Sequence, residues 1–151
     1  MADNFSRVKR SDVMSRIRSS GNKATELRLI QIFRANGITG WRRGASLQWK
    51  VGSGKLKSFR VKPDFLFSRL KTAVFVDGCF WHGCPKHATW PKTRAAFWKA
   101  KIEGNRARDR RVNRELRKRG WTVLRVWQHE LKRKDEPKLL RRLVKAESSK
   151  R

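Results

Sequence analysis

Acidic side chains are scarce in this 151-residue sequence. Only 12 Asp and Glu stand against 40 Lys and Arg, which gives a formal net charge of +28. Because so much unbalanced charge repels itself unless a polyanion neutralises it, we expect a nucleic acid as partner, bound through its phosphates. Charge alone does not separate an enzyme from a ribosomal-type RNA binder or a nonspecific DNA coat.

Long apolar runs are also missing. None approaches the roughly 18 to 20 residues of a membrane span, and the start, "MADNFSRVKRSD", lacks the apolar centre of a signal peptide. We therefore predict a cytoplasmic protein without a membrane partner. The chain has only two cysteines, and in a reducing compartment with histidines close by they favour a metal site over a structural disulfide.

Length and composition predict one folded domain with a basic extension at each end. Residues 1–22 are polar and basic and form a predicted flexible DNA-binding arm. Within this arm Met14 and Ile17 have the spacing of one helical turn. Residues 23–147 form the predicted domain, and residues 148–151 a basic tail.

Apolar periodicity predicts three helices. Leu27, Ile30 and Phe33 have helical spacing in "ATELRLIQIFRANG". The segment from Pro91 to Gly120 predicts a long basic helix, and "EPKLLRRLVKA" predicts a final amphipathic one.

Between residues 44 and 78, short runs of Val, Phe and Leu predict three strands, the first two of which form a basic hairpin turning at Val51 to Lys55. After the long helix, "WTVLRVW" predicts a buried strand. The order helix, strands, helix, strand, helix predicts an α/β domain with a mixed sheet flanked by helices.

The few carboxylates run against the overall charge. Glu26, Asp64 and Asp77 are the only acidic residues between positions 13 and 102. Asp64 lies in "KPDFLF" and Asp77 ends "AVFVD", so two neighbouring strands would bring both to one end of the sheet. Carboxylates suit Mg²⁺, which stabilises charge during phosphodiester cleavage. The alternative is an ion pair between Asp64 and a lysine such as Lys62.

A carboxylate also stands on the apolar face of the long helix. At 3.6 residues per turn the stripe consists of Trp98, Ile102, Asn105, Asp109, Val112 and Leu116. Because a buried carboxylate needs a partner, Asp109 is expected to pair with an arginine in a structural salt bridge or with a histidine that it orients.

Cysteine and histidine spacing predicts a zinc site. Cys79, Cys84 and His87 are close enough in sequence to chelate one ion, and His129 at a strand end could supply the fourth ligand that a closed tetrahedral site needs. His82 is then spare and becomes a candidate general acid or base. In the alternative, His82 is itself a ligand and His129 lies on the surface.

Three aromatic residues have two interpretations. Phe80 and Trp81 lie between the predicted zinc ligands, and Trp98 begins the helical stripe. Aromatic side chains on a rigid loop of a basic protein can insert between base pairs. Packing in the core is the alternative.

The motifs "VFVDGCFWHGCPKH", "KPDF" and "AFWKAKIEGNRARDRRVNRELRKRGWTVLRVWQHEL" strongly resemble the very short patch repair endonucleases, over roughly residues 8 to 131. The resemblance implies a restriction-endonuclease-like α/β fold with a structural zinc. It implies a Mg²⁺-dependent enzyme that nicks one DNA strand 5′ to the thymine of a T·G mismatch arising from deaminated 5-methylcytosine. It also implies association with the bacterial nucleoid, with other mismatch-repair proteins and a cognate cytosine-5 methyltransferase as candidate partners. Because a single subunit suffices to nick a single strand, we expect a monomer.

The resemblance also implies residue roles. Asp64 resembles the Mg²⁺-binding aspartate, and Val76 the position whose backbone carbonyl completes the protein contacts of that ion. His82 resembles the catalytic histidine, Asp109 its carboxylate partner, and Glu26 a second acidic residue near the water shell of the ion. The zinc set would be Cys79, Cys84, His87 and His129. The residues that insert into the duplex would be Phe80, Trp81 and Trp98 from one groove and Met14 and Ile17 from the other.

Two features depart from the resemblance. The lysine of the PD…D/E-x-K nuclease pattern is absent, so its task would pass to His82. The stretch from Gln48 to Val61 is longer and more basic than expected, which leaves the flanking sequence recognised by the protein open. A related nuclease without mismatch specificity and a non-catalytic nucleic-acid-binding module remain the alternatives.

Overall fold

The computed structural model describes residues 23–52, 57–87 and 89–149. The predicted arm, with Met14 and Ile17, lies outside the described residues. The elements are α1 (Lys23–Ala35), β1 (Arg42–Arg43), β2 (Leu47–Val51), β3 (Lys57–Val61), β4 (Phe65–Phe67), β5 (Thr72–Asp77), α2 (Ala95–Lys118), β6 (Thr122–Trp127), a short 3-10 helix (Gln128–Leu131) and α3 (Glu136–Ser148).

The main sheet has four strands in the order β1-β4-β5-β6. β4 is antiparallel to both β1 and β5, whereas β6 is parallel to β5. The parallel pair is connected by α2, because parallel neighbours need a long crossover. β2 and β3 form a separate antiparallel hairpin in which Trp49 pairs with Phe59. The predicted mixed sheet flanked by helices and the predicted hairpin are confirmed.

Alternation along the strands gives the sheet two apolar faces. On one face, Val74 of β5 and Val126 of β6 pack with buried leucines and isoleucines of α1 and α3. On the other face, Ala73 and Val123 pack with Leu116 of α2 and with the apolar side of the hairpin. The molecule therefore has three layers, with α1 and α3 on one side of the sheet and α2 with the hairpin on the other.

Three details differ from the sequence predictions. The run predicted as one strand through "KPDF" is two strands, because the chain breaks at Pro63 and Asp64 as it passes from the hairpin to the sheet. The long helix begins at Ala95 rather than near Pro91. Leu27 is 47% exposed, since the sheet covers the neighbouring face of α1 that carries Leu29 and Phe33. Among the described helices, none is long and apolar enough to cross a membrane.

Candidate active site and metal centre

Asp64 lies between β3 and β4, where β5 passes beside it. The backbone N–H of Val76 donates a hydrogen bond to one carboxylate oxygen of Asp64, with an N···O distance of 2.7 Å. Burial, assisted by the nearby carboxylates of Glu26 and Asp77, raises the pKa of Asp64 to about 6 despite this hydrogen bond. Within the described segments Asp64 forms no ion pair, with Lys62 or any other residue.

Asp77 is brought to the same end of the sheet, as predicted, but it is paired with an arginine. The Arg125 Nη1 lies 2.8 and 3.0 Å from the two oxygens of Asp77. Burial raises the pKa of the Asp77 carboxyl, and Arg125 opposes that rise. Because the guanidinium already neutralises Asp77, its carboxylate is less available than that of Asp64 to a cation.

His82 points at two carboxylates. Its Nδ1 lies 2.6 Å from Asp109 Oδ2 and 3.8 Å from Asp77 Oδ1. A carboxylate can only accept a hydrogen bond, so His82 Nδ1 carries a proton and donates a hydrogen bond to Asp109. Nε2 is then the nitrogen that can exchange a proton with a substrate. Burial lowers the pKa of His82, but the Asp109 hydrogen bond and the charges of Asp77 and Asp109 outweigh burial, and the pKa is raised.

Asp109 has both of the partners considered from the sequence. Besides His82, it lies 3.3 Å from Arg125 Nη2, and Arg125 Nε in turn donates to Asn113 Oδ1 at 2.9 Å. Asp77, His82 and Asp109 have the spacing of a metal site. However, Arg125 already places a positive charge between the two carboxylates, which makes a divalent ion at this point unfavourable.

The loop that carries His82 is held against α2. Asn105 Nδ2 donates to the backbone carbonyl of Trp81 at 2.9 Å. Gly83 has φ +62°, and a Cβ at this position would lie 2.9 Å from Ile102 Cγ2. Glycine is therefore required here both by the backbone conformation and by the close approach of the loop to the helix.

Four sulfur and nitrogen donors meet in a second cluster. Its members are Cys79, Cys84, His87 and His129, and their ligand atoms lie within 4.8 Å of one another.

The spacing inside this Cys/His cluster suits a tetrahedral ion. His129 Nδ1 lies 3.4 Å from Cys79 Sγ and 3.6 Å from Cys84 Sγ, and Cys84 Sγ lies 3.9 Å from His87 Nδ1. Zinc bond lengths at tetrahedral angles require a sulfur-to-nitrogen separation of about 3.6 Å. Burial and the neighbouring His87 lower the pKa of His129, which favours the neutral imidazole that a metal needs. His82 is not part of the cluster, contrary to the alternative that made it a ligand.

Three aromatic rings pack against one another, two from the loop that carries His82 and one from α2. Ring centroids are separated by 5.3 Å for Phe80 and Trp81, 5.4 Å for Phe80 and Trp98, and 5.9 Å for Trp81 and Trp98. Neither core cluster formed by the described residues includes them, and Phe97, which adjoins Trp98, is 45% exposed. The three side chains are half-buried and pack on one another outside these two clusters.

Glu26 reaches the site from the other side of the sheet. It is 6% exposed on α1 and accepts a hydrogen bond from Arg43 Nε at 2.5 Å. Its charge acts on Asp64, as the raised pKa of that carboxyl shows. The structure thus brings Glu26 close to Asp64 while keeping it neutralised by Arg43.

Arg125 is the one central residue that sequence reasoning missed. A signal was present, because Arg125 is the only charged residue in the predicted buried strand "WTVLRVW". An arginine in a buried strand needs a partner for the same reason as Asp109 on an apolar helix face, because a buried charge is costly unless it is paired.

Comparison with known proteins gives one family and several relatives. The family model described as DNA mismatch endonuclease Vsr matches residues 2–88. The chain is 41% identical over 121 residues to the type II nicking enzyme V.NaeI of Lentzea aerocolonigenes, covering 80% of this chain and 68% of that protein. It is 38% identical over 136 residues to the type II nicking enzyme V.NmeAIP of Neisseria meningitidis, covering 89% and 87%. It is 32% identical over 140 residues to the DNA mismatch endonuclease Vsr of Escherichia coli, covering 90% and 80%.

Proposed function

This chain belongs to the DNA mismatch endonuclease Vsr family, and we propose that it nicks one strand of duplex DNA 5′ to the thymine of a T·G mismatch arising from deaminated 5-methylcytosine. The observation that carries the proposal is the His82–Asp109 pair at 2.6 Å together with the buried carboxylate of Asp64. The charges of Asp77 and Arg125 act on both Asp64 and His82, which puts the two groups at one site. Together these groups provide a proton-transfer side chain and a cation ligand in a strongly basic protein, which is what hydrolysis of a phosphodiester requires.

Asp64 would hold the catalytic Mg²⁺, with the backbone carbonyl of Val76 as a second protein ligand. One oxygen of Asp64 is fixed by the Val76 N–H, which orients the carboxylate and leaves its second oxygen for the ion. A bound Mg²⁺ would supply stabilisation of the negative charge that develops on the phosphate. Glu26 would orient water in the outer shell of the ion.

His82 would act as the general acid or base that exchanges a proton with the attacking water. Since Nδ1 is bound to Asp109, the Nε2 atom is the one that exchanges a proton with the substrate side. Asp109 stabilises the imidazolium that forms, and Arg125 holds Asp109 in place from the sheet.

The Cys/His cluster would bind a structural Zn²⁺ through Cys79, Cys84, His87 and His129. The ligands Cys79 and Cys84 bracket Phe80, Trp81 and His82 in sequence. A closed zinc site would therefore keep this loop stiff, so that aromatic rings and His82 hold fixed positions against the same distorted base pair.

Phe80, Trp81 and Trp98 would insert into the duplex beside the mismatch. The three rings form one contiguous group outside the two core clusters of the described residues, and base–aromatic stacking offsets the cost of unstacking the duplex. Insertion of Met14 and Ile17 from the other groove remains a prediction from the sequence. We also propose a monomer acting on nucleoid DNA in the bacterial cytoplasm, with other mismatch-repair proteins and a cytosine-5 methyltransferase as functional partners.

A nicking assay on matched duplexes tests the proposal. Labelled duplexes carrying T·G, T·A or C·G at one methylatable cytosine position are incubated with Mg²⁺ or without it. We expect a nick only in the thymine strand of the T·G duplex and only with Mg²⁺. Equal cutting of all three duplexes would refute mismatch specificity, and tight binding without cutting would favour a non-catalytic module.

Single substitutions test the catalytic roles proposed for Asp64 and His82. Asp64→Ala and His82→Ala should each lower the nicking rate by at least about 100-fold, because each removes a group that acts on the reacting atoms. Lys138→Ala, on the exposed surface of α3 across the sheet, is the control and should nick at the wild-type rate. Wild-type rates for the first two variants would show that the catalytic assignment is wrong.

A further inference from the structure

The β2–β3 hairpin has an apolar side that is fixed to α2. Trp49 and Phe59 are cross-strand partners with ring centroids 5.2 Å apart, and both pack in the cluster on the α2 face of the sheet. Arg119 stacks over Trp49 at 4.3 Å, and Arg111 stacks over Phe59 at 5.0 Å. The two described strands of the hairpin therefore form a ribbon whose aromatic side packs against α2.

The hairpin is also joined directly to the proposed catalytic centre. β3 ends at Val61, which is 4% exposed, and Pro63 is fully buried immediately before Asp64. Strand alternation places Asp77 on the same face of the sheet as Phe75, which packs beside the hairpin. A five-residue strand is about 17 Å long, or roughly five base-pair steps. DNA held at Asp64 would thus lie within reach of the ribbon.

The other side of the ribbon is exposed and polar. Gln48 lies opposite Arg60, and Lys50 lies opposite Ser58, with all four side chains exposed. Two of these four residues, Lys50 and Arg60, are basic and none is acidic. Such a face complements the phosphates of a duplex, and a two-stranded ribbon fits the width of a major groove.

We propose that the β2–β3 hairpin docks in the major groove of the duplex flanking the nick, where Gln48 and Arg60 read base edges and Lys50 contacts a phosphate. Glutamine pairs with two atoms of adenine and arginine with two atoms of guanine, so this pair selects particular flanking bases. The proposal rests on the proposed nicking function, because that function places the duplex at Asp64.

A randomised library measures this selectivity. The T·G pair is kept and roughly six base pairs on each side are randomised, and nicked products are sequenced. We expect the wild type to prefer particular flanking bases, and Arg60→Ala or Gln48→Ala to lose about 5- to 150-fold of discrimination at one position each. Lys50→Ala should weaken binding to all sequences alike and lower the slope of log affinity against log salt by about 0.9.

Arg141→Ala is the matched control, because it removes one exposed charge from α3 on the opposite side of the sheet. It should change neither flanking preference nor salt slope. Binding of a fully paired version of the library is measured in parallel, so that a protein that nicks nothing refutes the proposed function while the hairpin is still judged by binding. If the wild type shows no flanking preference, or if the Gln48, Lys50 and Arg60 variants behave like the control, the hairpin proposal is wrong.

Discussion

Replacing Asp64 by asparagine is expected to stabilise the Mg²⁺-free protein while abolishing its proposed activity. Asparagine keeps the shape of the side chain and an oxygen that accepts the Val76 hydrogen bond. It removes a negative charge that burial and the nearby Glu26 and Asp77 make unfavourable. In our proposal, that charge is present to bind a cation and not to stabilise the fold.

The size of the effect follows from the pKa. The Asp64 carboxyl titrates at about 6 in the fold against an ordinary value of 3.8, a difference that corresponds to about 3 kcal/mol of destabilisation when the group is ionised. For a domain of this length, each kcal/mol changes Tm by about 2 to 4 °C. We therefore expect Asp64→Asn to raise Tm by about 6 to 12 °C at neutral pH.

The gain should depend on pH. Because the fold raises the pKa of Asp64 above its unfolded value, the protonated carboxyl contributes stability below pH 3.8, and that contribution is lost as pH rises through about 6. The wild type and Asp64→Asn should therefore converge below about pH 4 and separate fully above about pH 7.

Thermal unfolding in buffer free of Mg²⁺, without a chelator that would remove zinc, measures this difference. Glu103→Gln is the control, since it removes one negative charge from the exposed surface of α2. Added Mg²⁺ should raise the Tm of the wild type but not that of Asp64→Asn, because only the wild type has the ligand. A gain that is independent of pH, or a loss of stability at pH 7, would refute the reasoning.

Two further predictions concern the Cys/His cluster and Arg125. His129→Ala should lose its zinc and His82→Ala should keep it, measured by metal analysis of purified protein; undiminished zinc in His129→Ala would remove His129 from the ligand set. Arg125→Leu should lower the free energy of unfolding by about 3 to 5 kcal/mol, because it leaves Asp77, which is 4% exposed, without its cation. Adding Asp77→Asn to Arg125→Leu should restore part of the lost free energy of unfolding, measured by denaturant unfolding. A double variant as unstable as Arg125→Leu alone would contradict the pairing of Asp77 with Arg125.

The helix pattern and the cysteine spacing each identified residues that need a partner. The stripe on α2 marked Asp109 as a carboxylate in need of a partner, and the structure brings His82 and Arg125 to it. Cys79, Cys84 and His87 lie within nine residues of one another in sequence. Short chain connections therefore hold three of the four members of the Cys/His cluster together. In both cases the sequence identified the chemical need, while the partner came from more than 15 positions away.

The sequence could not predict the arrangement of Asp77 and Arg125. Their contact depends on the parallel register of β5 and β6, which places Arg125 opposite Phe75 and so on the same face of the sheet as Asp77. A slip of one residue would turn Arg125 to the face covered by α1 and α3. Register is a property of the packed sheet, and no local pattern encodes it.

By itself the sequence determined the basic charge that demands a polyanion, the set of residues able to bind metal or transfer protons, and the faces of the helices. These depend on side-chain chemistry and on spacings within a few turns of chain. Only the tertiary structure decided that Asp77 is neutralised by Arg125 and that the basic hairpin is fixed beside Asp64. Those arrangements depend on contacts between distant segments, whose geometry is set by strand register and by the packing of α2 on the sheet.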